Sequence, residues 1–162
     1  MKVVTLIGKS YCGKSEFAKV LEQQGWNVIH VGDLCRLQGK PLDYQFSPKE
    51  IAQVIDEAVI DSDRNSQFVI DNMFKTADGV SVIDYIKNLN VSKHNMIIYI
   101  IEDCRENVNF KLRGRKDDAY IQQKRKIWEE NERDIITNLE SRGYTMRVIL
   151  NTDKGFLIPV EE

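Results

Sequence analysis

Apolar positions along the chain fall into short β-branched runs separated by stretches with helical spacing. Lys2 to Ile7 (KVVTLI) is almost wholly apolar and stops at Gly8, as expected of a parallel strand buried on both faces. Asn27 to Val31 (NVIHV), Gln67 to Asp71 (QFVID), Met96 to Ile101 (MIIYII) and Thr145 to Leu150 (TMRVIL) repeat the pattern. Between the first two runs, Phe17, Ala18 and Leu21 predict a helix from Lys14 to near Gly25. Ser47-Pro48-Lys49-Glu50 reads as a capping box with proline at the first helical position, ahead of Ile51, Val54, Ile55, Ala58 and Val59 at helical spacing. Further helices are predicted over 80–89, with Val82, Ile83, Ile86 and Leu89 inward, over 104–112 and over 118–141. The last two are split by the polar RGRKDD, and a short tail follows the final strand. Strands that alternate with helices and are apolar on both faces predict an α/β protein: a three-layer α/β/α sandwich around a five-stranded parallel sheet.

Composition narrows the picture without naming a function. The 162 residues are 42% hydrophobic and 30% charged, which suits one globular domain spanning 1–162 and argues against a disordered chain. Lys and Arg number 23 against 25 Asp and Glu, a net charge of -2, so bulk electrostatics gives no reason to expect a nucleic-acid or anionic-membrane partner. No apolar run reaches membrane-spanning length and MKVVTLIG enters a strand pattern directly, so a cytoplasmic protein is expected. A monomer is the default. The cysteines, Cys12, Cys35 and Cys104, are odd in number and lack CxxC spacing, which supports neither a disulfide framework nor a zinc site. A divalent cation held by carboxylate, hydroxyl and phosphate oxygens is the metal chemistry this composition invites.

The first strand and first helix are joined by GKSYCGKS: Gly8, Lys9, Ser10, Tyr11, Cys12, Gly13, Lys14 and Ser15. This fits G-x-x-x-x-G-K-[ST] in the strand-loop-helix context that the motif requires, and so predicts a P-loop NTPase fold that binds ATP. Glycines let the backbone approach phosphate oxygens, N–H groups and the helix N-terminus face the anion, Lys14 brings a cation, and the Ser15 hydroxyl can ligate Mg²⁺. Cys12, beside Lys14 and a helix N-terminus, is open to a lowered thiol pKa, with an incidental small residue as the simpler reading. Tyr11, Trp26 and Trp128 are equally open to packing and to base stacking.

Two further motifs follow strand ends: GDLCR, Gly32 to Arg36, and DNMFK, Asp71 to Lys75. Open α/β sheets place ligands at that edge. With RGRKDD, Arg113 to Asp118, and then Arg125, the order of motifs resembles the adenylate kinase and UMP/CMP kinase family of nucleoside monophosphate kinases over almost the whole chain. Gly32, Asp33 and Arg36 match the family's G-D-x-x-R, and Gly114, Arg115, Asp117 and Asp118 match its G-R-x-D-D. The resemblance implies phosphoryl transfer from Mg·ATP to a nucleoside monophosphate. It assigns Gly32, Asp33, Arg36 and Lys75 to the acceptor, and Arg113, Arg115 and Arg125, with Lys14, to the transfer centre, with Arg113 also touching ATP. It gives Ser15, Asp33 and Asp71 to Mg²⁺, residues 32–64 to an acceptor-binding helical insertion, and 113–118 to a truncated lid.

The chain departs from the family where Ser10 and Tyr11 replace Pro and Gly, and where Lys75 replaces an arginine. Gly79 stands where the family has an adenine-reading glutamine, which weakens the expectation of adenine as the acceptor base. Two other readings remain: a kinase of a small hydroxyl metabolite, with Asp33 as base, and a nucleotide-binding module without transfer activity.

Overall fold

A computed structural model describes residues 2–41, 43–62, 66–74, 76–106 and 121–158. The predicted strands form β1 (Lys2–Ile7), β2 (Asn27–His30), β3 (Gln67–Asp71), β4 (Met96–Asp103) and β5 (Thr145–Thr152). A sixth, β6 (Gly155–Leu157), comes from the segment read as tail. The sheet runs β2-β3-β1-β4-β5-β6, parallel throughout except for the β5/β6 pair. The expected five-stranded parallel sheet is therefore corrected to five parallel strands plus one antiparallel edge strand. Thr152 makes the reversal: its Oγ1 donates to the Gly155 carbonyl at 2.7 Å and accepts from the Lys154 N–H.

Alternation along the strands sorts two cores, one on each face of the sheet. On one face Phe17, Ala18 and Leu21 of α1 (Lys14–Gln23) pack on Val4, Leu6, Val69, Ile101 and Ile149. On the other, Val3, Ile7, Phe68, Ile70, Ile98 and Ile100 meet α2 (Val31–Arg36), α3 (Pro48–Val59), α4 (Val82–Tyr85) and α5 (Ile121–Ser141). This is the predicted three-layer sandwich. Trp128, 5% exposed, lies in the second core with Ile135 and Leu139 and is a packing residue. Full burial of each such side chain stabilises the fold by about 1.5–3 kcal/mol.

α3 starts as the sequence dictates. The Ser47 side chain accepts from Glu50 N–H, the Glu50 carboxylate accepts from Ser47 N–H, and Pro48 occupies the first turn. Elsewhere boundaries move. Val31 opens α2 instead of ending β2, and β4 runs on to Asp103. The helix predicted over 80–89 is a 3₁₀ turn (Asp78–Ser81) followed by α4, which stops at Tyr85 because Ile86 is extended. There the Asp56 carboxylate of α3 accepts from the Lys87 and Asn88 N–H groups, removing the donors a continuing helix would use. Ile86 and Leu89 nevertheless reach the core.

The helix predicted from Cys104 is absent over residues 104–106. Cys104 N–H donates to the Asn151 carbonyl, Arg105 N–H to Asp103 Oδ1 and Glu106 N–H to Asp153 Oδ2. Residues 107–112, the lid at 113–118 and the predicted start of the last helix lie outside the described residues. Among the described residues no helix is long and apolar enough to cross a membrane.

Candidate functional site

The Gly8–Ser15 loop leaves the C-terminal end of β1, the central strand, and runs into α1. The glycines at its two ends answer to specific neighbours. A Cβ on Gly8 would stand 2.7 Å from Cys12 Sγ and 2.8 Å from the Ile101 carbonyl oxygen. One on Gly13, at φ +105°, would stand 2.4 Å from Asn151 Nδ2. Only glycine fits either place without displacing its surroundings.

Every carbonyl from Gly8 to Cys12 accepts a hydrogen bond from a side chain. Lys14 Nζ donates to Gly8 and Lys9 at 2.8 and 2.7 Å. Arg125 Nη1, from α5, donates to Ser10 at 2.5 Å, and Arg105 Nη2 donates to Tyr11 at 2.6 Å. Asn151 Nδ2, buried at the end of β5, donates to Cys12 at 2.9 Å. In a planar trans peptide the N–H points opposite the carbonyl. Tying this row of carbonyls therefore turns the opposite edges of the same peptides, with their N–H groups, the other way; of these, Cys12 N–H closes a turn on the Lys9 carbonyl at 3.1 Å. Their remaining N–H groups and the N-terminus of α1 form an array of donors suited to an anion with several oxygens. A further tie is the Lys9–Glu129 ion pair at 2.7 Å.

Cys12 is almost fully buried in this loop, and burial pushes its thiol pKa up against the opposing pull of Lys14, whose Nζ lies 3.7 Å from Sγ. The lowered pKa that its sequence position suggested is therefore corrected: burial raises it, and the side chain belongs to the core cluster of Val4, Leu6 and Phe17.

On the α1 side of the loop stands Asp71, only 5% exposed, at the end of β3. Its Oδ2 accepts from Ser15 Oγ at 3.4 Å and faces His30 Nδ1 at 3.1 Å. The hydrogen bond to Asp71 raises the His30 pKa, against the opposing effect of partial burial. Asp71 Oδ1 is buried without a hydrogen-bond partner. A carboxylate oxygen left so is costly unless something charged satisfies it. A hard cation sharing Ser15 and Asp71 fits this donor set, because Mg²⁺ takes few protein oxygens and completes its shell with water and phosphate. Among the described residues no group of three or more His, Cys, Asp or Glu side chains could hold a metal by itself.

Gly32, Asp33 and Arg36 lie on α2, directly after β2. Arg36 forms an ion pair with Asp33, and its guanidinium covers Gly32, with Nη1 3.4 Å from where a Cβ would stand. Beside them a cavity of about 340 Å³ opens along β2, lined by Val28, His30, Asp33, Leu34, Ala58 and Phe68. The structure thus gathers Lys14, Ser15, Asp71 and Arg125 at the loop and places Asp33 and Arg36 at the neighbouring strand end. Lys75, Arg113 and Arg115 lie outside the described residues.

Three participants carry no sequence signal. Arg105 is held by Asp103 through Nε–Oδ1 at 2.8 Å and Nη2–Oδ2 at 2.9 Å, and so reaches Tyr11. Burial opposes ionisation of Asp103, yet hydrogen bonds from Arg105 outweigh it and hold that carboxyl below its usual range. Asn151 and His30 are the others; Asn151 is the last residue but one of β5 and His30 ends β2, and the register of these strands brings each to the site.

No protein-family model matches the chain, and no curated protein matches it. Among solved structures it is similar to a de novo designed protein of P-loop NTPase fold, determined by solution NMR, at 13% identity and a TM-score of 0.44, covering 91% of this chain and 78% of that one. The P-loop NTPase fold of this chain stands on its own features: a central parallel strand, a glycine-bounded loop and a helix that begins at the motif's Lys14 and Ser15.

Proposed function

We propose that the protein is a nucleoside monophosphate kinase that moves the γ phosphoryl group of Mg·ATP to an acceptor monophosphate, giving ADP and a nucleoside diphosphate. The observation that carries the reading is the loop in which side chains fix each carbonyl from Gly8 to Cys12, leaving the donor array opposite. Phosphoryl transfer needs little covalent chemistry and much fixed positive charge. Lys14 neutralises the donor's β and γ phosphates, and Arg125, which donates to the Ser10 carbonyl, supplies positive charge for the transfer. Ser15 and Asp71 would hold Mg²⁺, with Asp33 joining through water as the resemblance implies; the ion would neutralise phosphate charge. Arg36 receives the acceptor phosphate, after exchanging its pairing with Asp33 for a bidentate grip on phosphate oxygens. The cavity along β2, lined in part by Asp33, is consistent with an acceptor bound on this side; its volume of about 340 Å³ lies within the range of about 300–1,000 Å³ usual for small-molecule clefts. Lys75, Arg113 and Arg115, which lie outside the described residues, keep the cationic roles that the resemblance implies. An acceptor that is already an anion needs no general base.

The test is a comparison of ATP affinity with transfer rate. Arg36→Ala is expected to lower kcat/KM for the acceptor by about 10²-fold or more while leaving the Kd for ATP within about threefold. Equal losses in both, or in neither, remove Arg36 from the acceptor site.

A further inference from the structure

Tyr11 has φ +66°, a left-handed backbone that costs free energy for a bulky side chain and persists where the surroundings hold it. The residue stands at the turn of the phosphate loop, between the carbonyls tied by Arg125 and Asn151. Its own carbonyl is the one that Arg105 holds, at 2.6 Å.

Arg105 is unusually well placed to resist motion. Asp103 fixes its guanidinium at two points and accepts from its backbone N–H as well. Asp103 ends β4, which is paired to β1 on one side and β5 on the other. The Tyr11 carbonyl is therefore anchored to the middle of the sheet. Rotation of Tyr11 to negative φ, about its N–Cα bond, would carry the Tyr11 carbonyl away from Arg105 and the Tyr11–Cys12 peptide out of the turn that Cys12 N–H closes on the Lys9 carbonyl at 3.1 Å.

We propose that Arg105 is a positioning residue of the phosphate loop: braced by Asp103, it holds Tyr11 in its left-handed conformation and so keeps the loop's donors aimed at the nucleotide phosphates. The proposal rests on the reading of Gly8–Ser15 as a phosphate site. It assigns Arg105 no contact with the reacting atoms. It also predicts a dependence on the residue at position 11, because glycine adopts positive φ without the steric penalty and has no need of the brace.

The experiment is a double-substitution cycle on the full chain with Arg105→Ala and Tyr11→Gly, read in two ways: Kd for Mg·ATP by calorimetry, and hydrogen exchange of the amides of residues 10–13 without nucleotide. Arg105→Ala is expected to weaken Mg·ATP about tenfold with Tyr11 present, equivalent to about 1.4 kcal/mol, and less than about threefold in the Tyr11→Gly background. Loop exchange should speed up with the same asymmetry. Arg105→Lys keeps a charge opposite Asp103 without the planar fork, and carries the same cycle if the alanine variant fails to fold. No loss on removing Arg105, or an equal loss in both backgrounds, overturns the proposal, since a role confined to the end of β4 would not depend on position 11. If the unsubstituted protein binds no Mg·ATP, the proposed function fails, and the exchange cycle still decides whether Arg105 braces the loop.

Discussion

Arg125, in the second turn of α5, donates to the Ser10 carbonyl across 115 residues of chain, so a guanidinium is fixed at the rim of the phosphate loop before any substrate arrives. Charge placed in advance stabilises a transition state without reorganisation during the reaction. Arg125→Ala should reduce kcat/KM by about 10- to 10²-fold, as expected for a charged hydrogen bond of about 1.5–3 kcal/mol. Arg125→Lys should recover only part, because lysine cannot bridge the loop and a phosphate with one plane. Steady-state kinetics of the three proteins checks this; full activity in the lysine variant would show that charge alone suffices.

Asn151 is 6% exposed, and its amide is the donor to the Cys12 carbonyl. Asn151→Ala leaves that acceptor without its partner in a closed space and should cost about 1–3 kcal/mol of folding stability, measured by urea unfolding. Asn151→Asp should be worse still, as it replaces a donor by a charge next to a carbonyl. Gly13→Ala attacks the same contact from the other side and is expected to abolish nucleotide binding while the rest of the fold survives.

Much of this was legible in the sequence. β1, β3 and the start of α3 follow from apolar runs and from Ser47-Pro48-Lys49-Glu50, all local signals with local causes. The phosphate loop was legible for the same reason: its glycines, Lys14 and Ser15 stand in one short stretch. What escaped is held by hydrogen bonds reaching across the fold. Asp56 stops α4 from another helix, Asn151 and Asp153 draw off the N–H groups of Cys104 and Glu106, and Arg105 finds Tyr11 only because β4 lies beside β1. No spacing rule anticipates such bonds. The roles given to Lys75, Arg113 and Arg115 fall on residues outside the described part of the chain.

Asp71 combines a buried, unpartnered Oδ1 with an Oδ2 shared by Ser15 and His30. Asp71→Asn should raise the Mg²⁺ concentration needed for half-maximal rate by about tenfold or more, because an amide replaces the anionic ligand that a hard cation prefers. Chelation of Mg²⁺ should abolish transfer in the unsubstituted protein. A magnesium titration in both proteins checks the pair, and identical curves would move the metal away from Asp71.

Asp84 of α4 pairs with Arg142 just beyond α5, Nη1–Oδ1 at 2.8 Å, and that hydrogen bond lowers the Asp84 pKa. A lowered folded value means that the contribution is complete above the unfolded pKa of about 3.9 and is lost as pH falls through the folded one. The Asp84 side chain is 56% exposed, so the pair is worth at most about 1 kcal/mol. Unfolding of Arg142→Gln should therefore lie slightly below that of the parent protein at pH 7, and the difference should shrink below pH 4. A gap that widens in acid would contradict the sign.

The most direct test of phosphoryl transfer is to incubate the purified protein with Mg·ATP and a panel of ribo- and deoxyribonucleoside monophosphates, resolving ADP and the acceptor diphosphate separately. The predicted result is ADP and acceptor diphosphate in equal amounts for one or a few acceptors, with neither formed by a Lys14→Ala protein. ATP binding with every monophosphate left unphosphorylated would contradict it.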